Sequence, residues 1–542
     1  MDGRRSAGRV ACALVALAGF VGCAGPVAPP AGDDAPRRGG TVVLGSISDV
    51  DTWNEYVSQQ AFAGGILRRL FLRLAQETGR GLETADGFEP LLAESWESSS
   101  DGLNLTFRLR DARWSDGVPV TADDVRFTFE AQTSPAVPWV GGASKTRITG
   151  VEVVDPRTVR FRFDGRYPYQ LADAVEGGIV PRHVFGTVPF EAWATHDWSQ
   201  HKIASGPFVL VRHAPQREIE LARNPHFFDS ARPLLDRVVV RIVADDASLV
   251  TQLETGEIDW LEGVPARDAH RLSDKDAGGV KLLAFDQPKY DFIGWNGDRP
   301  PFDAPEVRRA LTQAIDREGL VEEMLFGFGR VSRGPLPRGA WGVDRAIEPW
   351  PYDPHGARAT LAAHGFATRE ADGSTRKGRT LDVEILTNSG NRVREEMLVK
   401  IQEQLARIGV RASVRSLEMK TLRQQIASGE YQAYLGGWTF SGKIDLAALF
   451  ASDRVPPAGL NVVRYRAADV DREIARLSEA ASGAEMLEPL RDIQRRIHED
   501  APYTFLYELR RVAGYGPRLR GVVVDVPSDP LARIDRFWVA AS

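Results

Sequence analysis

The chain has 542 residues, 43% hydrophobic and 26% charged, with 51 Gly and 33 Pro, a globular mixture that excludes a fibrous or wholly disordered protein. Lys and Arg number 68 against 74 Asp and Glu, a formal charge of -6, which lacks the basic excess of a polyanion binder and argues against nucleic acid as a partner. At this length one core does not suffice, and two or three lobes are expected.

The chain opens with Arg4, Arg5 and Arg9, an apolar run from Val10 to Phe20, and then Val21-Gly22-Cys23. That layout is a secretory signal peptide over residues 1–22, too short and too rich in Gly and Ala for a membrane span. A buried helix is the alternative reading, but the following Pro-, Gly- and Asp-rich segment has no packing periodicity, and residues 23–37 read as a flexible tether. The two cysteines are Cys12 and Cys23, so the body beyond them has neither disulfide nor thiolate chemistry. The start resembles a bacterial lipoprotein signal. Gly22-Cys23 match its end and Phe20 departs from the usual Leu; the resemblance implies lipidation of Cys23 and an extracytoplasmic protein held by acyl chains.

Thr41–Ser46 has the apolar pattern of a short strand, and helical spacing runs from Ala61 to Ala75 through Ile66, Leu67, Leu70, Phe71 and Leu74. From Leu92, strands separated by Asp-Gly turns at 101–102 and 116–117 predict antiparallel pairing. Thr121 caps the next predicted helix, with Asp124 at the capping-box position. Strands are predicted at Ile148–Val154, Thr158–Phe163 and 236–244, and a helix at Ser248–Gly256. Lys281–Phe285 and Tyr290–Trp295 read as strands, and Ala304–Phe326 as packed helices. Leu381–Leu386, Val393–Ile408 and Val410–Val414 form a βαβ-like unit stopped at Gly409. A helix over Leu487–His498 precedes strands at LYELR and at the final VVVDV. The Pro/Gly-rich stretches at 333–357 and 454–460 read as loops of interleaved lobes.

No GxGxxG follows a strand, and GxxxxGK[ST], HExxH and GxSxG are missing, which removes the common nucleotide, zinc and serine-hydrolase signatures. His196, Asp197 and His201 come nearest to a metal cluster, but neighbouring side chains on one segment point apart, and a solvated surface is the simpler account. The pairs Asp123-Asp124 and Asp245-Asp246 suit helix starts better than catalysis, which needs carboxyls converging across a substrate. The expectation is a protein that is not an enzyme and uses no cofactor.

Several ordered motifs then carry a resemblance. Leu92–Trp96, Asp101-Gly102, Phe107–Arg110, Trp114–Val120 and Thr121–Val125 resemble the N-terminal signature of the family 5 extracellular solute-binding proteins, the peptide and nickel branch. Gly206–Phe208, Leu221–Phe228, Leu253–Asp259, Asn296, Pro301–Asp303, Val307–Leu311, Ala314–Arg317, Ile401–Gly409, Gly437-Trp438 and Ala501-Pro502 continue it in order.

This likeness implies an α/β, periplasmic-binding-protein-like class II bilobal fold with an additional N-terminal α+β domain. Lobe one is expected over 38–84, 202–296 and 509–542, the additional domain over 85–201, and lobe two over 297–508. It further implies a monomeric extracytoplasmic receptor, periplasmic or on the outer membrane face, that binds short peptides between its lobes and hands them to an ABC permease with its ATPase subunits. A non-peptide solute (oligosaccharide, opine-like compound or metal chelate) and an envelope scaffold or chaperone are the alternatives. The ligand-binding candidates are Trp53 and Asn54 after the first strand, Arg333 (or Arg338) as a fork for a carboxylate, Trp438 as an aromatic wall, and Asp445 for an amino group. Trp96, Trp114, Gly206 and Gly256 are expected to be structural.

Overall fold

The computed structural model describes residues 35–84, 87–273, 279–440 and 442–540. The signal peptide, Cys23 and most of the tether lie outside them.

Twelve strands share one sheet. Its path runs Arg411–Leu417, Asp382–Asn388, Ala433–Thr439, Lys289–Trp295, Tyr503–Tyr515, Trp260–Glu262, Thr41–Ser46, Arg237–Ile242, Glu218–Arg223 and Phe208–Ala214. Lys281–Asp286 and Gly329–Val331 also pair with Tyr503–Tyr515. Thr41–Ser46 buries Val42 and Leu44 on alternate positions and lies parallel to Arg237–Ile242, Thr41 opposite Arg237. The βαβ-like unit is present: Asp382–Asn388 and Arg411–Leu417 are parallel, joined by the helix Arg392–Arg407, and Gly409 turns the chain at φ 93°. That left-handed geometry favours glycine.

A separate four-stranded sheet orders Ala93–Ser98, Asn104–Leu109, Thr158–Phe163 and Ile148–Asp155, all antiparallel. The helix Ala122–Thr133 follows its Asp-Gly turns, and the Thr121 N–H donates to Asp124 Oδ2 at 2.8 Å, the reciprocal half of the expected box. Trp114 is wholly buried, while Trp96 packs on Phe107. A Cβ on Gly206 would strike the Arg69 carbonyl, so close backbone approach fixes that glycine. Asp245 accepts the Ser248 N–H at 2.8 Å as the cap of Asp246–Thr255.

Three predicted elements differ. The first helix stops at Leu70, not Ala75, because the Leu70 carbonyl accepts the Ser205 and Gly206 N–H groups, and the Leu72 carbonyl accepts that of Ile179. Tertiary backbone bonds outcompete the helical pattern there. Residues 522–526 form no strand, and the last ladder instead joins Leu519–Arg520 to Trp538–Val539. The helix predicted at Leu487–His498 spans Gly483–Asp500.

The apolar interior divides along the same line as the large sheet. One cluster unites Val42, Leu44 and Val238 with Phe107 and Phe161 of the small sheet and with Leu519 and Phe537 near the C-terminus. Two others draw only on residues between Tyr290 and Tyr507. The chain passes between these halves at residues 286–289 and again inside the thirteen-residue strand Tyr503–Tyr515.

Candidate functional site

Where the halves meet, Tyr503–Tyr515 pairs with both. Its first residues face Lys289–Trp295 and Gly329–Val331, its last face Lys281–Asp286 and Trp260–Glu262. Glu508 sits at this crossing opposite Arg330, and Arg510 opposite Asp286. Glu508 is only 3% exposed. Its Oε2 accepts the Arg338 N–H at 2.8 Å, while its Oε1 and the buried Tyr290 hydroxyl have no hydrogen-bond partner among the described residues.

Burial pushes the Glu508 carboxyl up to about 7, against the pull of the Arg338 N–H and guanidinium. The native state therefore keeps this proton at pH values where the unfolded chain, titrating near ~4.3, has released it, and the stability contribution is lost as pH rises through 7. Glu508→Gln is expected to gain on the parent as pH rises from 4 to 8, reaching about 3–4 kcal/mol. Urea melts across that range check it, and a stability difference that does not change with pH refutes it.

Beside the crossing, Asp291 is buried. Arg394 binds it through a two-toothed fork at 2.9 and 3.0 Å, the Tyr507 hydroxyl donates at 2.8 Å, and Lys289 Nζ lies 3.7 Å away. A Cβ on Gly437 would collide with this carboxylate and with Arg394, which is why glycine stands there.

Aromatic rings line the next layer. Phe292 stacks on Tyr503 at 3.9 Å and faces Trp438 at 6.2 Å. Trp438 donates its Nε1–H to the Tyr503 hydroxyl at 3.1 Å and is only partly buried. Tyr290 contacts Phe440 at 5.6 Å and Phe505 at 5.3 Å. The residue between Phe440 and Gly442 lies outside the described residues.

Beyond this wall, the loop after Ala433–Thr439 reaches the layer around the small sheet. Lys443 ion-pairs with Asp173, which also accepts the Tyr167 hydroxyl at 2.7 Å. The Ile444 N–H donates to the Tyr169 hydroxyl at 3.1 Å, and that hydroxyl donates to Glu83 at 3.0 Å. Burial raises both the Asp173 and the Glu83 carboxyls above their usual range. Lys145 lies nearby, fully buried, and donates to the Asp173 and Glu176 carbonyls. Burial pulls its ammonium down to about 7.

The expected site residues fall in different places. Trp53 is buried and donates its Nε1–H to His213 Nδ1 at 3.2 Å, with His213 held by Asp49 at 2.9 Å. Asn54 has no exposed surface, and its side chain spans the Tyr56 N–H and the Trp193 carbonyl. Arg333 donates to the Arg345 carbonyl at 3.0 Å and pairs with Glu348 at 3.4 Å. Asp445 is exposed and caps Leu446–Phe450 by accepting the Ala448 N–H at 3.0 Å. Trp438 alone among the five stands in the aromatic wall. His196 and His201 face each other at 2.9 Å while Asp197 caps a short turn, so the three do not converge.

Sequence reasoning missed Glu508, Tyr290, Asp291, Lys443 and Asp173. Lys443 stands between the candidates Trp438 and Asp445, and a lone Glu in the apolar run FLYELR was a readable signal. Asp173 and Tyr290 carried none, since Asp173 meets its partner 270 residues away and Tyr290 meets Phe440 and Phe505, and such pairings are invisible in one sequence.

Comparison with known proteins extends these observations. Residues 87–451 match the bacterial extracellular solute-binding proteins, family 5, middle region. The oligopeptide-binding protein AppA of Bacillus subtilis is 29% identical over 515 residues, covering 93% of this chain and 92% of its own. Its structure in complex with a nonapeptide superposes with a TM-score of 0.70 at 27% identity, covering 94% of this chain and 100% of that one. The probable D,D-dipeptide-binding periplasmic protein DdpA of Escherichia coli is 25% identical and covers 89% of this chain and 91% of its own. The substrate-binding protein CtaP of Listeria monocytogenes shares the fold with a TM-score of 0.79 at 22% identity, over 93% of this chain and 100% of that one. The fold is thus the bilobal α/β fold of solute-binding proteins, and the chain belongs to family 5 of the bacterial extracellular solute-binding proteins.

Proposed function

We propose that this protein is an extracytoplasmic receptor that captures short peptides between its lobes and delivers them to an ABC importer. The observation that carries the reading is the end-to-end match to AppA, a protein named for oligopeptide binding and solved with a nonapeptide. The lobes are 38–84 with 202–296 and 509–542, against 297–508, with 85–201 as an additional domain. Ligand lies against the Trp438 wall, above the Glu508 crossing. Arg338 supports a carboxylate-binding role better than Arg333, because among the described residues no carboxylate lies within ion-pair distance of its guanidinium, which donates to the Val331 carbonyl. Trp53 and Asn54 act by fixing the loop after the first strand, and Asp445 by capping its helix. Cys23 carries the lipid anchor after removal of residues 1–22.

Mass spectrometry of the full chain expressed with its leader tests both parts. Native spectra are expected to release a peptide population at one site per protein, and the intact denatured mass to show acyl chains with residues 1–22 removed. A defined sugar or chelate in place of peptides, or an empty cleft that takes up none of a peptide panel, sinks the ligand assignment. An unmodified N-terminus sinks the anchor.

A further inference from the structure

Away from the crossing and from Trp438, a cavity of 280 Å³ lies between the end of the first helix, the hairpin of Ala75–Glu77 with Phe88–Pro90, the segment after Glu218–Arg223, and residues 532–536. Six guanidinium groups wall it: Arg68, Arg69, Arg110, Arg232, Arg533 and Arg536. Four of them are matched by carboxylates. Arg68 and Arg69 share Asp529, Arg533 holds Asp525 and Glu89, and Arg232 lies 3.7 Å from Asp229 and 3.5 Å from Asp535.

Arg110 and Arg536 are not matched. Arg110 donates to the Leu91 carbonyl at 2.6 Å and lies 5.0 Å over the Phe228 ring, and among the described residues no carboxylate is within ion-pair distance of it. Arg536 is exposed at the mouth, where Asp535 feels its charge, and among the described residues it forms no ion pair. The remaining wall is apolar, with Leu72, Leu91, Phe227 and Phe228. Among the described residues, five ion-paired carboxylates face six guanidiniums, a surplus of positive charge in a chain whose net charge is -6.

We propose that this cavity is a second binding site, distinct from the interlobe cleft, for a small organic carboxylate whose apolar body packs on Phe227 and Phe228 while its anionic end meets Arg110 and Arg536. Its volume falls just under the range of about 300–1,000 Å³ occupied by drug-sized ligands, which fits a compact acid. A carboxylate matches the fork of a guanidinium, and an aromatic floor already stacked under Arg110 keeps that group in place before the ligand arrives. The site joins the first helix to the hairpin that leads into the small sheet, so occupancy ties these parts together.

Calorimetric titration of the full chain with sodium benzoate, against sodium sulfate at matched ionic strength, tests the proposal. Saturable binding of one benzoate per chain is expected, at least tenfold tighter than sulfate. Arg110→Gln combined with Arg536→Gln is expected to weaken benzoate at least tenfold. Phe228→Leu, which keeps both charges, is expected to weaken it about threefold, and Arg536→Gln alone, at an exposed position, guards against a double variant that does not fold. No saturable benzoate binding, equal binding of sulfate, or unchanged affinity in Arg536→Gln and Phe228→Leu overturns the assignment. Because benzoate is read directly, the result stands whether or not the cleft takes peptides.

Discussion

An Asp291→Ala variant is expected to lose about 3–5 kcal/mol of stability, the cost of leaving one buried charge without its partner. Arg394 is anchored by two bonds to that carboxylate and a third to Asn388 Oδ1 at 2.9 Å, and the Tyr507 hydroxyl and Lys289 converge on the same group. Removing Asp291 strands the guanidinium, the ammonium and the hydroxyl together at the root of the strands that join the lobes. Replacing Arg394 by Met in the same chain is expected to restore part of the loss, since the pair costs less absent than half-made. Denaturant melts of the two single variants and the double variant read the coupling. A single-variant loss under 1 kcal/mol, or strict additivity, refutes the argument.

The second large effect concerns ligand retention. Lys443→Ala is expected to weaken binding of the peptides identified for the wild type by about 30-fold, or about 2 kcal/mol. Asp173 is almost fully buried while the Lys443 side chain is 31% exposed, so truncating the lysine leaves the carboxylate enclosed with fewer donors. The pair joins the loop beyond the Trp438 strand to the helix Gln170–Val175, and it exists only where these two are in contact. If the lobes part to release ligand as proposed above, the pair breaks with them, and the penalty is expected in the dissociation rate. Stopped-flow release rates check this. Unchanged release with intact binding would assign Lys443 to the surface alone.

Much of the fold was legible because it is periodic. Thr41–Ser46, Asn104–Leu109, Tyr290–Trp295 and the helix up to Gly409 announce themselves through alternation, apolar stripes and a terminal glycine. The misjudged parts are those where distant backbone decides. Nothing local in residues 71–75 reveals that their neighbours are 178–179 and 205–206, and nothing in Val522–Val526 reveals that no strand lies beside them. The site was less readable for a related reason. Trp53 and Asn54 look available in sequence, yet one is committed to His213 and the other to Trp193 and Tyr56. The groups that meet at the crossing come from residues 286–291, 330–338, 394 and 507–510, and only the tertiary structure brings these to one place.

The long strand Tyr503–Tyr515 and the tail behind it set an order of assembly. Thr41–Ser46 is flanked by Arg237–Ile242 and Trp260–Glu262, and the latter needs Tyr503–Tyr515 on its far side. Asp259 is gripped by Arg518, and Asp529 supplies the carboxylate for Arg68 and Arg69. A chain emerging from its N-terminus thus holds the first-made strand for nearly its whole length before the residues that seal it exist. Loop closure over such a separation is slow and comes late. The half between Tyr290 and Tyr507 can condense earlier, but its sheet too waits for residues 503–509. Truncation anywhere before residue 503 is therefore expected to leave both lobes unsealed at once.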